Sequence, residues 1–338
     1  TGGQRAAIIG GALFEGLASD VEDAESKLRA GTIHLDVCHD YGCIGSLAGI
    51  YSASMPVFVV KNVTDGNQSF CNLFEGKSPH RLNYGVYNDE VRTNLQYLKD
   101  TIAPTLRKAV LASGGIPLRP IMRRALHMGD ELHSRNTAAT LLFNQALFPT
   151  LIDLAEVAPD QVRELLNYLR TSDYFFLRLS MAASKATADA AHNIEHSSVV
   201  TAMAFNCHDF SIRVSGLGST WFESPLPPVA AKLSQGFTND DIEYMGGEST
   251  INETVGLGGF AQAAAFPLQD FQGGSPERMI EMNLAMYQIT LCEHPELKIP
   301  YLGFRVVPLA IDIYRVVETG VTPVLTRDLR DHIPFSSR

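Results

Sequence analysis

Charge is scarce in this chain and nowhere clustered: Lys, Arg, Asp and Glu together make up 19% of its 338 residues, against about a quarter in ordinary soluble domains. There is no dense Lys/Arg run, and the formal net charge is -10. Affinity for a phosphate backbone comes from clustered cations, so a nucleic-acid partner is excluded. A surface this poor in charge points instead to buried contacts with other subunits. Long apolar runs are also missing, because Ser, Lys, Asp or Gln interrupts each candidate before the roughly 20 residues a spanning helix needs. Residues 1–5 carry no cationic segment leading into an apolar core, so no signal peptide is read there. A cytoplasmic protein without a membrane is the expectation.

Cysteine is sparse: Cys38, Cys43, Cys71, Cys207 and Cys292 are odd in number, scattered and without Cys-x-x-Cys spacing. They read as reduced thiols, and neither a metal site nor a cofactor is expected from them. No Gly-x-Ser-x-Gly elbow and no His-Glu-x-x-His helix occurs, which disfavours serine hydrolases and zincins. Internal repeats and low-complexity tracts are absent too.

What is present is a chain longer than one usual domain, with 45% apolar residues and a mean hydropathy of +0.01, enough for a large core. The pattern predicts an α/β fold of the mixed α+β kind in three parts. Residues 1–87 form a first α/β portion, 88–195 a mostly helical domain, and 196–338 a second α/β portion. In the first, the short apolar run 6–9 reads as a strand. Ser19 with Glu22 three residues on opens a helix that Gly31 closes. Residues 33–37 alternate like a half-buried strand, and 55–60 run like a fully buried one, giving a β-α-β unit. A glycine-rich loop, 42–49, lies between them. In the helical part Asn88 caps, Asp89 and Glu90 suit a first turn, Ser113, Gly114 and Gly115 stop the run, and Pro120 opens another helix. Helical periodicity then holds from Asp130 to about Ala191, broken by Pro149 and Pro159. Residues 198–205 and 210–215 form a β-hairpin around the turn Asn206, Cys207, His208 and Asp209.

Several polar segments could carry chemistry. Residues 61–72 place Asn62, Asp65, Asn67 and Asn72 at the end of an apolar strand, where open α/β sheets bind ligands; an Asp-Gly turn with local Asx bonds explains them equally well. Residues 128–136 are the densest cluster. If Asp130 caps a helix, His133 and Thr137 share a face and Glu131 pairs with Arg135 beside Asn136, although a solvated helix start would look the same. His127 and His133 are six apart and share no helical face, so a metal there would need ligands from elsewhere. Arg213 sits in an apolar strand followed by Ser215 and a Gly-Leu-Gly turn, and its fork suits a carboxylate or phosphate; the alternation Ser211, Arg213, Ser215 also fits a solvent face. Residues 246–259, with Thr250 and Glu253, resemble a phosphate loop only loosely, lacking the P-loop lysine and the strand-then-GxGxxG context. Asp312, Arg315 and Glu318, three apart, form one polar edge if helical.

Taken together, ALFEG (12–16), SASMP (52–56), NVTDGN (62–67), Cys71-Asn72, MGDE (128–131) with His133 and Arg135-Asn136, SVVTAM (198–203), IRVSGLG (212–218), 250–259 and RVVETG (315–320) resemble, nearly end to end, a bacterial family encoded beside FdrA-like proteins. The resemblance implies a subunit of oxamate carbamoyltransferase, with an FdrA-like protein and a third subunit as partners in anaerobic allantoin breakdown. The reaction implied moves a carbamoyl group between oxalurate and phosphate, giving oxamate and carbamoyl phosphate. Relative to the family the chain starts later and ends earlier, without an N-terminal segment and a glycine-rich tail, as a fragment or divergent member would. Residues 38–41 depart from the family pattern, which weighs against a role for His39.

Carbamoyl transfer develops oxyanion charge at a tetrahedral centre, best met by fixed N–H donors and arginine. The expected toolkit is Asp130, His133 and Asn62 for catalysis. Asp65, Asn67, Asn72, Arg135, Asn136, Arg213, Ser215, Thr250, Glu253 and Arg315 are expected to bind substrate or phosphate, with the two glycine loops converging on Asn62 to Asn72 in one cleft. A non-catalytic scaffold for the FdrA-like partner, and an independent amidohydrolase acting on a small amide or ureide, are the alternatives.

Overall fold

The run 6–9 is not a strand but the middle of helix α1 (Gly2–Phe14). Gly10 and Gly11 explain why a helix fits: a Cβ on either would meet Leu82, Tyr87 or Ile50 at 2.4–2.7 Å, so the helix packs glycine-first against those side chains. The structure, a computed structural model, describes residues 2–206, 209–225, 238, 246–269 and 273–325. Cys207 and His208 of the expected turn, and the end of the last expected portion, lie outside the described residues.

Helix α2 (Val21–Arg29) begins one residue later than expected. Asp20 is its cap, accepting from the Asp23 N–H at 2.8 Å, while the Ser19 N–H reaches back to Asp23 at 2.9 Å. Gly31, at φ +69°, ends it in the left-handed conformation. Residues 33–37 form no strand; they run extended and largely exposed into a 3-10 turn, Cys38–Tyr41. The β-α-β unit does not form either. Strand β1 (Val57–Lys61) folds straight back on β2 (Gln68–Asn72) as an antiparallel hairpin, because the Asn62 to Asn67 turn pairs the strands locally and no crossover is needed. It is therefore covered on one side only, leaving Val59 58% exposed.

The helical stretch behaves as expected at its start: Asn88 caps α3 (Asp89–Tyr97), which continues through a π turn into α4 (Ala103–Ala112) and stops at Gly114 and Gly115, both at positive φ. Helices α5 (Leu118–His127), α6 (Thr137–Ala155), α7 (Pro159–Arg170) and α8 (Phe175–Ala190) follow. Pro149 does not break α6, which runs through it. Among the described residues α6 is the one helix long and apolar enough to cross a membrane; its buried residues, such as Phe143 and Leu147, join the main core. Helix α8 is buried all round, with 12 of its 16 residues inside, and everything that matters below rests on it.

The expected hairpin is present as β3 (Val200–Phe205) and β4 (Asp209–Val214), extended by β5 (Phe222–Pro225) into an antiparallel sheet. The short helix α9 (Ile251–Thr254), α10 (Pro276–Met286), the hairpin β6 (Thr290–Ile299) and β7 (Arg305–Ile311), and α11 (Ile313–Thr319) complete the fold. The result is a mixed α+β architecture with three small antiparallel sheets among the described residues. One core gathers α4 to α8 with the first and last hairpins. A smaller one joins Val200, Met203, Phe260, Met286, Ile289 and Ile311.

Candidate functional site

The two glycine-rich segments, 200 residues apart in sequence, meet. The Gly45 N–H donates to Glu248 Oε2 at 3.1 Å, and the Glu248 N–H donates to the Gly45 carbonyl at 3.1 Å. Only glycine allows the approach, since a Cβ on Gly247 would lie 2.6 Å from the Leu47 nitrogen; within the first segment, one on Gly49 would lie 2.7 Å from the Gly45 Cα. Below this seam lies the buried Lys185 of α8, whose ammonium donates to the His39 carbonyl at 3.1 Å and pairs with Asp189. Beside it Arg213, from β4, bonds Asp40 Oδ1 at 2.6 Å and lies 4.5 Å above the ring of Trp221. The same ring meets His39 edge-on at 5.2 Å.

Arg213 is thus not on a solvent face, being only 6% exposed. It belongs to a titratable cluster of the buried His39, Lys185 and Arg213 with the partly buried Glu248, open to solvent at the half-exposed Asp40. Burial pushes the Glu248 carboxyl up to about 7, outweighing the Gly45 N–H and the two cations that favour its ionised form. Burial, reinforced by Lys185, Arg213 and His192, holds His39 well below the usual imidazole range and so neutral. Ser215 and Thr250 fix the frame rather than face the group: Ser215 Oγ donates to the Ala191 carbonyl at 2.6 Å and Thr250 Oγ1 to that of Met203 at 2.5 Å.

The expected cluster at 128–136 forms a second network, and not on a helix. Asp130 is buried and caps α6 through the Ala139 N–H at 2.8 Å. Glu131 does not pair with Arg135. Its carboxyl accepts the Ser134 and Arg135 N–H groups at 2.5 and 2.9 Å, and Arg135 approaches Asp130 at 3.6 Å instead. A chain turned this tightly, with Leu132 at φ +69°, cannot place i and i+4 side chains on one helical face. His133 Nδ1 lies 2.8 Å from Glu253 Oε1, which also accepts the Gly259 N–H at 3.1 Å. Asn136 donates to the His133 carbonyl at 2.7 Å, and Asn252 to that of Leu132 at 2.8 Å. Burial lifts Asp130 to about 6 and Glu131 to about 7. The network ties the 246–259 segment to α6 and α8 from behind.

The remaining residues are dispersed. Asn62 is an Asx turn, accepting the Thr64 N–H at 3.0 Å and donating to the exposed Asp65 at 2.8 Å. Asn67 anchors that turn on the Ala186 carbonyl of α8 at 2.8 Å. Asn72 accepts from the buried Arg178 at 2.9 Å. Arg315 donates to the Thr290 carbonyl, and Asp312 caps α11, so these two build a helix start on β6. Sequence reasoning missed Lys185, Trp221 and Glu248 and discounted His39. A lysine among alanines and serines in an apolar helix, four residues before Asp189, was the available signal.

Glu248 gives a pH test. A raised carboxyl means that the folded chain holds the proton more tightly than the unfolded one, so its stabilisation is complete below the unfolded value of 4.5 and is lost as pH climbs to about 7. Glu248→Gln cannot ionise; it is expected to outlast the unaltered chain in urea at about pH 8 and to match it at about pH 5. A midpoint difference that ignores pH would assign the ionisation elsewhere.

A family model described as oxamate carbamoyltransferase subunit AllG matches residues 33–249. The Escherichia coli K12 protein of that name is 39% identical over 327 residues, 96% of this chain and 78% of that one. A second E. coli K12 protein, YahG, described as uncharacterized, is 42% identical over 324 residues, 96% of this chain and 68% of its own length. In three dimensions the chain is similar to a crystal structure of a conserved protein of unknown function from Enterococcus faecalis V583. The TM-score is 0.91 at 38% identity, covering 97% of this chain and 79% of the other.

Proposed function

Since the chain belongs to the AllG family of oxamate carbamoyltransferase subunits, we propose that it is one subunit of a heteromeric carbamoyltransferase exchanging a carbamoyl group between oxalurate and phosphate. The observation that carries this reading within the chain is the pair of buried cations, Lys185 and Arg213, set against the glycine seam. Oxamate, oxalurate, phosphate and carbamoyl phosphate are all anions. Arginine offers such a group a two-pronged contact, and lysine and glycine N–H groups add fixed donors for oxyanion charge in the transition state. Asp40 occupies Arg213 at 2.6 Å and is half-exposed, so an incoming carboxylate or phosphate can replace one anion by another. Asp130, His133 and Glu253 act at one remove, holding the 246–259 segment where Glu248 meets Gly45. Asn62, Asp65, Asn67 and Asn72 dock the first hairpin on α8.

An FdrA-like protein and a third subunit complete the cytoplasmic complex, and no cofactor enters the reaction. The test is co-expression of the three chains, size-exclusion of the product, and assay of oxalurate cleavage with and without phosphate. A stable complex that yields oxamate and carbamoyl phosphate only when phosphate is added is the expected outcome. Cleavage of oxalurate by this chain alone without phosphate would make it an amidohydrolase. Separate elution of fully active proteins would end the subunit reading.

A further inference from the structure

His39 is enclosed without being bonded. Its side chain has no exposed surface, and both ring nitrogens are buried without a hydrogen-bond partner among the described residues. Buried polar atoms are almost always paired, so two orphaned nitrogens on one ring call for an explanation. The ring is not there for packing alone, because its surroundings are charged. Lys185, itself paired with Asp189, faces it from α8, His192 from the turn after α8, Arg213 from β4, and Glu248 from the glycine segment; Asp40, Cys38 and Cys43 belong to its own loop. Nε2 stands 3.9 Å from Glu248 Oε1, too far for a hydrogen bond and close enough for one to form with a small shift. A neutral imidazole has one donor and one acceptor nitrogen. If Nε2–H turns to Glu248, Nδ1 is left as an acceptor, on a ring that packs edge-on to the Trp221 that also carries Arg213.

We propose that His39 is the proton-transfer residue of this site, positioned by Glu248 through Nε2; that a small carboxylate-bearing substrate displaces Asp40, the chain neighbour of His39, from Arg213 and so uncovers the enclosed ring; and that the substrate's amide N–H then completes Nδ1. The proposal rests on the carbamoyl-transfer reading. In the synthetic direction the amide nitrogen of oxamate forms a bond to the carbamoyl carbon of carbamoyl phosphate. The carbon–oxygen bond to the phosphate breaks, and its electron pair leaves on the phosphate oxygen. The proton lost by the nitrogen passes to Nδ1 and from there to the departing phosphate, so His39 ends neutral as it began. Burial, reinforced by Lys185 and Arg213, keeps the ring unprotonated and ready to accept, and the two cations offset the negative charge of both substrates. Glu248 is a positioning residue: it acts through the ring, which it approaches at 3.9 Å, and not on the reacting atoms.

The test has two arms. In the reconstituted three-subunit complex, His39→Gln is expected to lower kcat by about two to four decades, the usual contribution of general acid–base catalysis, with the KM for phosphate near the unaltered value. The acid limb of the kcat/KM profile, set by protonation of His39, should vanish in the same variant. A merely structural histidine would move neither selectively. Glu248→Gln should keep the limb and lose part of kcat. In the second arm, the full chain with labelled histidine is titrated separately with oxamate and with inorganic phosphate while the His39 ring signals are followed by NMR. A shift with oxamate and none with phosphate supports the substrate contact at Nδ1; a shift with phosphate alone makes His39 a phosphate contact and overturns the assignment. An unaltered kcat in His39→Gln overturns it while leaving the carbamoyl-transfer reading intact. If the unaltered complex transfers no carbamoyl group, that reading fails, and the NMR arm still decides: without a shift on oxamate, His39 contacts no such substrate.

Discussion

Arg213→Lys is expected to weaken binding of oxamate and phosphate to the complex by about one to two decades, because losing a charge-assisted two-pronged contact costs roughly 1.5–3 kcal/mol. Lysine keeps the charge and loses both the fork and the flat face that lies 4.5 Å above Trp221. The strand itself should survive. Arg213 holds Asp40, which is half-exposed, and a pair open to solvent contributes little to folding. A modest fall in melting temperature with a large loss of affinity is therefore the expected signature, read by calorimetric titration beside thermal melts. Equal losses of both would assign Arg213 to architecture, and unaltered affinity would remove it from the substrate site altogether.

A different arginine carries the fold. Arg178 is 2% exposed in the middle of α8, where it donates to Asn72 Oδ1 at 2.9 Å. With its amide turned as its neighbours require, Asn83 accepts from Arg178 at 3.2 Å and donates to Glu75 Oε1 at 3.3 Å. Glu75 is also buried and takes the Leu82 and Asn83 N–H groups at 2.6 and 2.9 Å. Removing the guanidinium leaves the Asn72 and Asn83 amide oxygens without their charged donor, beside a carboxylate held by two backbone N–H groups. Arg178→Met, which nearly preserves volume, is expected to cost about 2–4 kcal/mol of stability, because each buried acceptor that loses its charged donor costs roughly 1–3 kcal/mol. Urea unfolding with an unchanged slope and a much lower midpoint would show it. A change below about 0.5 kcal/mol, as for an ordinary surface substitution, would mean that the network is not what anchors the first hairpin to α8.

Local signals were legible where the chain's own neighbours decide the outcome. Asn88 caps because its side chain reaches the Val91 N–H three residues on, and Gly114 and Gly115 stop a helix because their positive φ suits glycine. The hairpin of β3 and β4 was readable for the same reason, two strand-forming runs separated by turn residues. Strand readings failed at 6–9 and 33–37, where short apolar or alternating runs fit two conformations and only the partner selects one. At 6–9 the partner is the glycine-to-side-chain contact with Leu82 and Ile50; at 33–37 no partner strand exists among the described residues.

The amino-acid order alone was enough for the family, the mixed α+β class, a few helix caps and stops such as Asn88, Gly31 and Gly114, and the polar, glycine-rich character of the segments around the site. All of these are composition or near-neighbour properties. It takes the folded chain to bring Gly45 to Glu248 across 203 residues, Arg213 to Asp40 across 173, and Lys185 to the carbonyl of His39 across 146. The same folding closes the cluster at 128–136 on Glu253 as a buried brace rather than opening it as a helix face. The reason is physical: a buried charge must find its partner wherever the fold supplies one, and sequence spacing carries no record of contacts made across the core.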